Sequence, residues 1–353
     1  MESSLKVDLN TLTSIGRSSY IGLLKSTGRQ VKVILVKGAE VLPLQEASAL
    51  RRKLVEELAG KVGLPVPFPV EIQSGPCKFE GSAAWAFVNS YVPGTDLTTI
   101  IRRLAPGQDS ELVHEIGQAT GVSLAVLHST SQSLAEARHK EDTGSGDQEI
   151  FWRKKILTRQ ELLARRVREA SKITALDDRE IRRARSLAGA FTNRFGATDH
   201  HVADETQGCL IHADLHGGNV IMDTAAPSEA RIASFIDDQL SVGDSGYDIA
   251  SIQNWAFEVM DEQSFTTFIR GLEVGYRSLI PRYTTRNSSL LLYLTDRSLG
   301  RLAYYARSSP RWVEPYGSER LIRHLDLLDN IASTATSSDS FTDPFATVRR
   351  LAT

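Results

Sequence analysis

Residues 210–223, LIHADLHGGNVIMD, narrow the fold more than any other stretch of this chain. Strand-type residues lead in through GCLIHAD and out through NVIMD, so two short strands enclose a polar loop. That loop gathers His212, Asp214, His216 and Asn219 around the Gly217–Gly218 turn. Two chemistries use residues of this kind at this spacing. In a metal-dependent hydrolase, His212, Asp214 and His216 would be N/O ligands, with His200 or His201 in support, because catalytic zinc wants about three ligands and an open position. In a phosphotransferase, Asp214 would take a proton and Asn219 would offer a carbonyl oxygen to magnesium.

The rest of the chain bears on that choice through its organisation. Residues 11–37 hold two β-rich stretches around the turn STGR. In VKVILV, Val31, Val33 and Leu35 share one face of a strand, and Lys32, Ile34 and Val36 share the other. QEASALRRKLVEELAGKVG sets Ala47, Leu50, Leu54, Val55 and Leu58 at helical spacing. LPVPFPVEI leads into a further strand, and AAWAFVNSYVPG is an apolar strand stopped by Pro93 and Gly94. Beyond it the pattern turns helical: ELVHEIGQATGVSLAVLHST, a region from Phe151 to about Phe195, SGYDIASIQNWAFEVM, and further helices to about Ala332. SQSLAEARHKEDTGSGDQE reads as a surface insertion, and the low-complexity end as a mobile tail. With 353 residues, two lobes are expected rather than one core. The predicted class is α+β: residues 1–92 an antiparallel sheet with one helix, 93–332 a mainly helical lobe, and 333–353 the tail.

Composition removes other classes. The formal net charge is −2, and the basic runs at 165–168 and 179–185 are interrupted or flanked by acids, so nucleic acid is not an expected partner. Cys77 and Cys209 stand far apart with no CxxC, which supports neither a disulfide framework nor a zinc knuckle. No apolar run approaches the ~20 residues of a spanning helix, and no apolar signal region opens the chain. The expectation is a reduced, cytoplasmic protein with no membrane partner.

LIHADLHGGNVIMD followed by FIDDQLSVGDSGYDIA resembles the aminoglycoside phosphotransferase-like kinases, a family that includes choline, homoserine and methylthioribose kinases and shares the protein-kinase fold. The family pattern runs H-G-D-x-x-x-x-N, then I-D, then G-D-x-x-x-D-L-A. Here Ala213 replaces the common glycine and Ile249 the common leucine, and LAVLHS and YVPGTDL are further landmarks. The resemblance implies an enzyme that moves a phosphoryl group from ATP or GTP to a hydroxyl of a small molecule. Such transfer needs positioning, charge neutralisation and an acceptor for the hydroxyl proton. By that resemblance Asp214 is expected to take that last role, and Asn219 with Asp237 to hold Mg²⁺, a cation that prefers hard oxygen donors. His212 is expected to brace the loop, His216 has no assigned role, and Asp244 and Asp248 are expected to cap a helix start rather than to bind metal. Asp238 is either a supporting acid or a solvated neighbour.

On the nucleotide side, IGRSSYIGLL lies where these kinases cover the phosphates and includes Ser19, without a strict GxGxxG. Two lysines compete for the phosphates. Lys32 sits at the distance from the STGR turn seen in compact relatives, whereas Lys37 ends the apolar run VILV as in the kinase VAIK signature and is preferred. Glu46 is the preferred carboxylate partner, with Glu56 and Glu57 as alternatives. The Ser90 carbonyl and Val92 amide in FVNSYVPG are the expected adenine contacts. An antibiotic such as an aminoglycoside leads as acceptor, with a homoserine-, choline- or methylthioribose-type metabolite second. Aminoglycoside sites are lined by acids, and Asp238, Asp244, Glu258, Asp261, Glu262 and Glu273 are candidates, among aromatics at Trp255, Tyr304, Tyr305, Trp312 and Tyr316. A catalytically dead kinase fold is a third reading, against which the intact Asp214, Asn219 and Asp237 stand.

Overall fold

The computed structural model describes residues 6–15, 19–38, 41–59, 68–104, 109–130, 178–196, 209–223, 230–236, 240–305, 317–334 and 341–352. The first lobe comprises β1 (Thr13–Ser14), β2 (Ser19–Leu23), β3 (Gln30–Val36), α1 (Val41–Ala59), β4 (Glu71–Phe79) and β5 (Ser82–Ser90). The five strands form one antiparallel sheet in the order β1-β2-β3-β5-β4. Glu80 and Gly81, both at positive φ (49° and 76°), make the two-residue turn between β4 and β5, whose twist suits a tight hairpin. Alternation along β3 decides the sheet's two faces. Val31, Val33 and Leu35 are buried with Val7, Cys77, Ala86 and Val88 in a small core. The opposite face carries Lys32 and its cross-strand neighbour Asn89, and α1 reaches that face. There Arg51 Nη1 donates to Asn89 Oδ1 (3.2 Å), and the Ser48 hydroxyl donates to Glu71 on β4.

The second lobe begins with β6 (Thr95–Asp96) and α2 (Leu97–Arg103), whose N-cap Asp96 accepts from the Thr99 amide at 2.9 Å. Next come α3 (Ser110–Thr130) and α4 (Asp178–Gly196), then β7 (Cys209–Ile211), β8 (Val220–Met222), β9 (Ile232–Phe235) and β10 (Ser241–Gly243). The chain continues through α5 (Ser245–Val259), α6 (Glu262–Arg277), β11 (Thr285–Arg286), α7 (Asn287–Tyr305), α8 (Gly317–Ser333), β12 (Phe341–Thr342) and α9 (Pro344–Ala352). β8 pairs with both β6 and β9, and β7 with β10, so the loop between β7 and β8 is anchored on both flanks. α3 and α6 approach closely along Gly117, Gly121, Gly271 and Gly275, where an added Cβ would meet the facing helix's backbone. The two-lobed α+β architecture is the one expected. Among the described residues no helix is long and apolar enough to cross a membrane.

The end of the chain departs from expectation. Residues 344–352 are a helix, not part of a mobile tail, with Phe345, Val348 and Leu351 buried in the main core. Asp343 Oδ1 accepts from the Phe345 amide (2.9 Å), and Pro344 occupies the helix's first position. A Ser/Thr-rich run before it hid a short apolar stripe at helical spacing. The expected insertion at 131–149 and the helical region at 151–177 lie outside the described residues.

Candidate active site

Leaving β7, the chain turns at Ala213, which has φ 64°, a left-handed conformation that costs an alanine about 1–2 kcal/mol. Asp248 supports that turn. Its carboxylate is fully buried in the first turn of α5 and accepts from the amides of His212 (2.6 Å) and Ala213 (3.1 Å). His128 on α3 lies with Nε2 3.3 Å from Asp248 Oδ2 and Nδ1 2.8 Å from the Tyr276 hydroxyl. A carboxylate only accepts, so Nε2 carries the proton and Nδ1 accepts from Tyr276. The helix-cap expectation for Asp248 is therefore corrected: it binds loop amides instead. Asp244 does cap α5, accepting from the Gly246 amide (2.8 Å) and also from the Tyr293 hydroxyl (3.0 Å).

His212 braces the loop. Its Nε2 donates to the Ile236 carbonyl (3.0 Å), and Nδ1 accepts from the Asp214 amide (3.3 Å). His216 Nδ1 accepts from the Gly218 amide (3.0 Å) and caps a single 3-10 turn over Gly217–Asn219. Burial, followed by the charge of Arg301, lowers the His216 pKa to about 4, so it is neutral near pH 7. A Cβ at Gly217 would enter the Trp255 indole, which Thr98 holds through Nε1 (3.1 Å); only glycine fits there. With both nitrogens of His212 bound to backbone and Nδ1 of His216 taken by an amide, the His-x-Asp-x-His metal reading loses His212 as a ligand. No group of three or more His, Cys, Asp or Glu among the described residues is arranged to hold a metal. His200 and His201 lie outside them.

Asn219 Nδ2 donates to the Asp214 carbonyl (3.0 Å), which leaves Oδ1 as the end of that side chain suited to a cation. The Asn219 carbonyl accepts from the Ile236 amide (2.9 Å), tying the loop to the end of β9. Asp237 and Asp238, which follow Ile236, lie outside the described residues. The Asp214 carboxylate is 37% exposed and its Oδ1 lies 3.3 Å from Arg297 Nη2. Burial raises its pKa, but the positive charge of Arg297 and the hydrogen bond it donates oppose burial and hold it below the ordinary carboxylate value. Asp214 is thus ionised near pH 7.

Across the sheet lobe, Lys32 is half-buried in mid-β3, between Ile21 and Asn89 and on the face that α1 reaches. Lys37 is exposed beyond the end of β3, in the alternation of Val31, Val33 and Leu35. Ser19 opens β2 opposite Ile34 and shares the Lys32 face. Glu46 lies in α1 with its side chain outside the described residues, and Glu56 is exposed. Ser90 closes β5, its amide and Oγ bonded to Val70, and Val92 follows in the link to β6.

Of the acids expected to line an acceptor cleft, Asp244, Glu258, Asp261 and Glu273 are engaged elsewhere, Glu262 is exposed and Asp238 lies outside the described residues. Glu258 is buried among Arg301 (3.0 Å), His324 (3.4 Å) and Arg320 (3.9 Å). Glu273 pairs with Arg277 (3.1 Å) and Arg349 (2.8 Å), Asp261 caps α6 at Ser264, and Glu262 follows in its first turn. Trp255 is buried in the core; the side chains of Tyr304 and Tyr305, and residues Trp312 and Tyr316, lie outside the described set. Sequence reasoning missed Arg297, for which a charged residue in an otherwise ordinary helix gives no signal. It also missed His128, although the LAVLHS landmark contains it.

A family model described as APH, phosphotransferase enzyme family, matches residues 39–282. The structure is similar to that of a microcompartment-associated aminopropanol kinase, with TM-score 0.55 at 14% identity over 93% of each chain. It is also similar to a GDP and kanamycin complex of APH(2")-IIia (TM-score 0.48, 15% identity, 93% of this chain and 94% of that one). A third similar structure is the GDP complex of wild-type aminoglycoside 2'-phosphotransferase-IIIa (TM-score 0.45, 17% identity, 94% and 93%). No curated protein matches by sequence.

Proposed function

The chain belongs to the phosphotransferase enzyme family and is a small-molecule kinase, and from that premise we propose that Asp214 is its catalytic base. The observation that carries this reading is the Asp214 carboxylate itself. It is ionised and reaches solvent, while its own amide and carbonyl are pinned by His212 and Asn219. In the proposed reaction the acceptor hydroxyl gives its proton to Asp214, its oxygen bonds to the γ-phosphorus, and the bond to the bridging oxygen breaks to release the nucleoside diphosphate. ATP or GTP is the donor. Asn219 and Asp237 are the proposed Mg²⁺ ligands, supported by the free Oδ1 of Asn219 and by the bond that ties Asn219 to Ile236, next to Asp237. Bound there, magnesium would neutralise charge on the phosphates.

Lys32, not the sequence-preferred Lys37, is the proposed phosphate ligand. The α1-facing side of β3 supports Lys32, and the exposed position of Lys37 weighs against it. Ser19, the Ser90 carbonyl and the Val92 amide are the proposed remaining nucleotide contacts, with Glu46 the proposed partner of the lysine. For the acceptor, the engagement of Asp244, Glu258, Asp261 and Glu273 in caps and ion pairs weighs against a polycation such as an aminoglycoside. It favours a metabolite-type hydroxyl compound.

The test is coupled ADP release with Mg²⁺ and ATP or GTP against aminoglycosides, macrolides, choline, homoserine, methylthioribose and aminopropanol. Turnover of a metabolite supports the reading. Turnover of an aminoglycoside alone reverses the acceptor class, and silence together with absent nucleotide binding overturns the kinase assignment.

A further inference from the structure

Arg297 on α7 is a costly residue to keep where it is. Its side chain is 9% exposed, and taking an arginine out of water to that depth is strongly unfavourable unless it is well paired. Its partners are specific. Nη2 lies 3.3 Å from Asp214 Oδ1, Nη1 donates to the Tyr247 hydroxyl at 3.4 Å, and the guanidinium carbon stands 5.8 Å from the Tyr247 ring centre. The same Tyr247 hydroxyl donates to Asp296 Oδ2 (3.1 Å), the residue before Arg297, so one tyrosine anchors this turn of α7 to α5. The guanidinium's own partners favour its charged form more than burial opposes it, so it is a permanent cation.

Among the described residues the other hydrogen bonds of Asp214 are to its backbone: His212 holds its amide and Asn219 its carbonyl. Neither restrains rotation about the two side-chain torsions, which in a carboxylate that reaches solvent have several wells. Arg297 makes the hydrogen bond that does. We propose that Arg297 is a positioning residue for phosphoryl transfer: it holds one carboxylate oxygen of Asp214 so that the other stays directed at the acceptor hydroxyl. The inference rests on Asp214 being the base. It assigns to α7, some 80 residues from the loop in sequence, a role in aligning the reacting groups.

The test compares Arg297→Lys, Arg297→Met and Arg297→Ala with the native enzyme in kcat, KM for the nucleotide, melting temperature and the crystal structure of the Met variant. Misplacing a reacting group by about 1 Å costs roughly 10²-fold. The expected result is therefore a kcat loss of that order in Arg297→Met, with KM for ATP within about twofold. Lysine should recover part of the loss, and added guanidinium should rescue the Ala variant. In the Met crystal structure the Asp214 carboxylate should have rotated. Should the Met and Ala variants fail to fold, the Lys variant decides through its kcat-to-KM split. Unchanged kcat, a loss confined to KM, or an Asp214 carboxylate unmoved without the arginine overturns the inference. A loss in Asp214→Asn with none in Arg297→Met overturns this inference alone, whereas full activity in Asp214→Asn overturns the base assignment with it. The crystallographic result needs no acceptor, so it decides the matter even if no turnover is found.

Discussion

The loop between β7 and β8 is held by side chains from α3, α5, α6 and α7, whereas the Lys32 face of the sheet is held by strand register and a few polar contacts from α1. In the loop, Tyr276, His128 and Asp248 form a buried chain that ends on the amides of His212 and Ala213. On the sheet, Lys32 and Asn89 face each other across β3 and β5, and Arg51 reaches Asn89 from α1. The difference is the one expected if Asp214 is the proposed base, since a base's geometry enters the barrier directly and is best fixed by groups that cannot move. A phosphate ligand on a long flexible stem needs only the correct face of a strand.

The sharpest way to break this comparison is Asp214→Asn. General-base loss should lower kcat by about 10²–10⁴-fold while nucleotide binding, read by calorimetry, persists. Full turnover would show that the loop's rigidity serves something other than a base. The next effect contrasts the two regions in stability. Asp248→Ala removes a buried acceptor from two amides and leaves His128 without its carboxylate, and should cost about 3–5 kcal/mol in denaturant unfolding. Arg51→Met, on the sheet side, should cost about 1 kcal/mol. Equal losses would erase the distinction. A smaller effect separates the lysines: Lys32→Ala should raise KM for ATP about tenfold, the loss of one charge-assisted contact, and Lys37→Ala should leave it within twofold. The reverse result would return the phosphate to Lys37. Smallest of all, Ala213→Gly relieves a left-handed alanine and should stabilise the protein by up to about 1 kcal/mol, read as a slightly raised Tm.

Much of this was legible before any coordinates. The alternation of VKVILV put Val31, Val33 and Leu35 on one face, the buried one, although Val36 of the other face is buried too, and the loop residues His212, Asp214 and Asn219 lie together. Backbone periodicity and short-range turns are local, so a linear reading recovers them. The burial of α9, the commitment of Asp248 to loop amides and the engagement of Glu258 and Glu273 by arginines were not legible, because each depends on what a distant helix brings alongside.

The sequence by itself determined the family, the two-lobed class and the residue types available for phosphoryl transfer, because these follow from motifs whose members are close in the chain. Only the tertiary structure decided that Lys32 shares the face of the sheet that α1 reaches, that Glu258 and Glu273 are paired with arginines, and that Arg297 meets Asp214. Those outcomes turn on distances between residues up to some 80 positions apart, and electrostatic and hydrogen-bond energies depend on separation in space rather than along the chain.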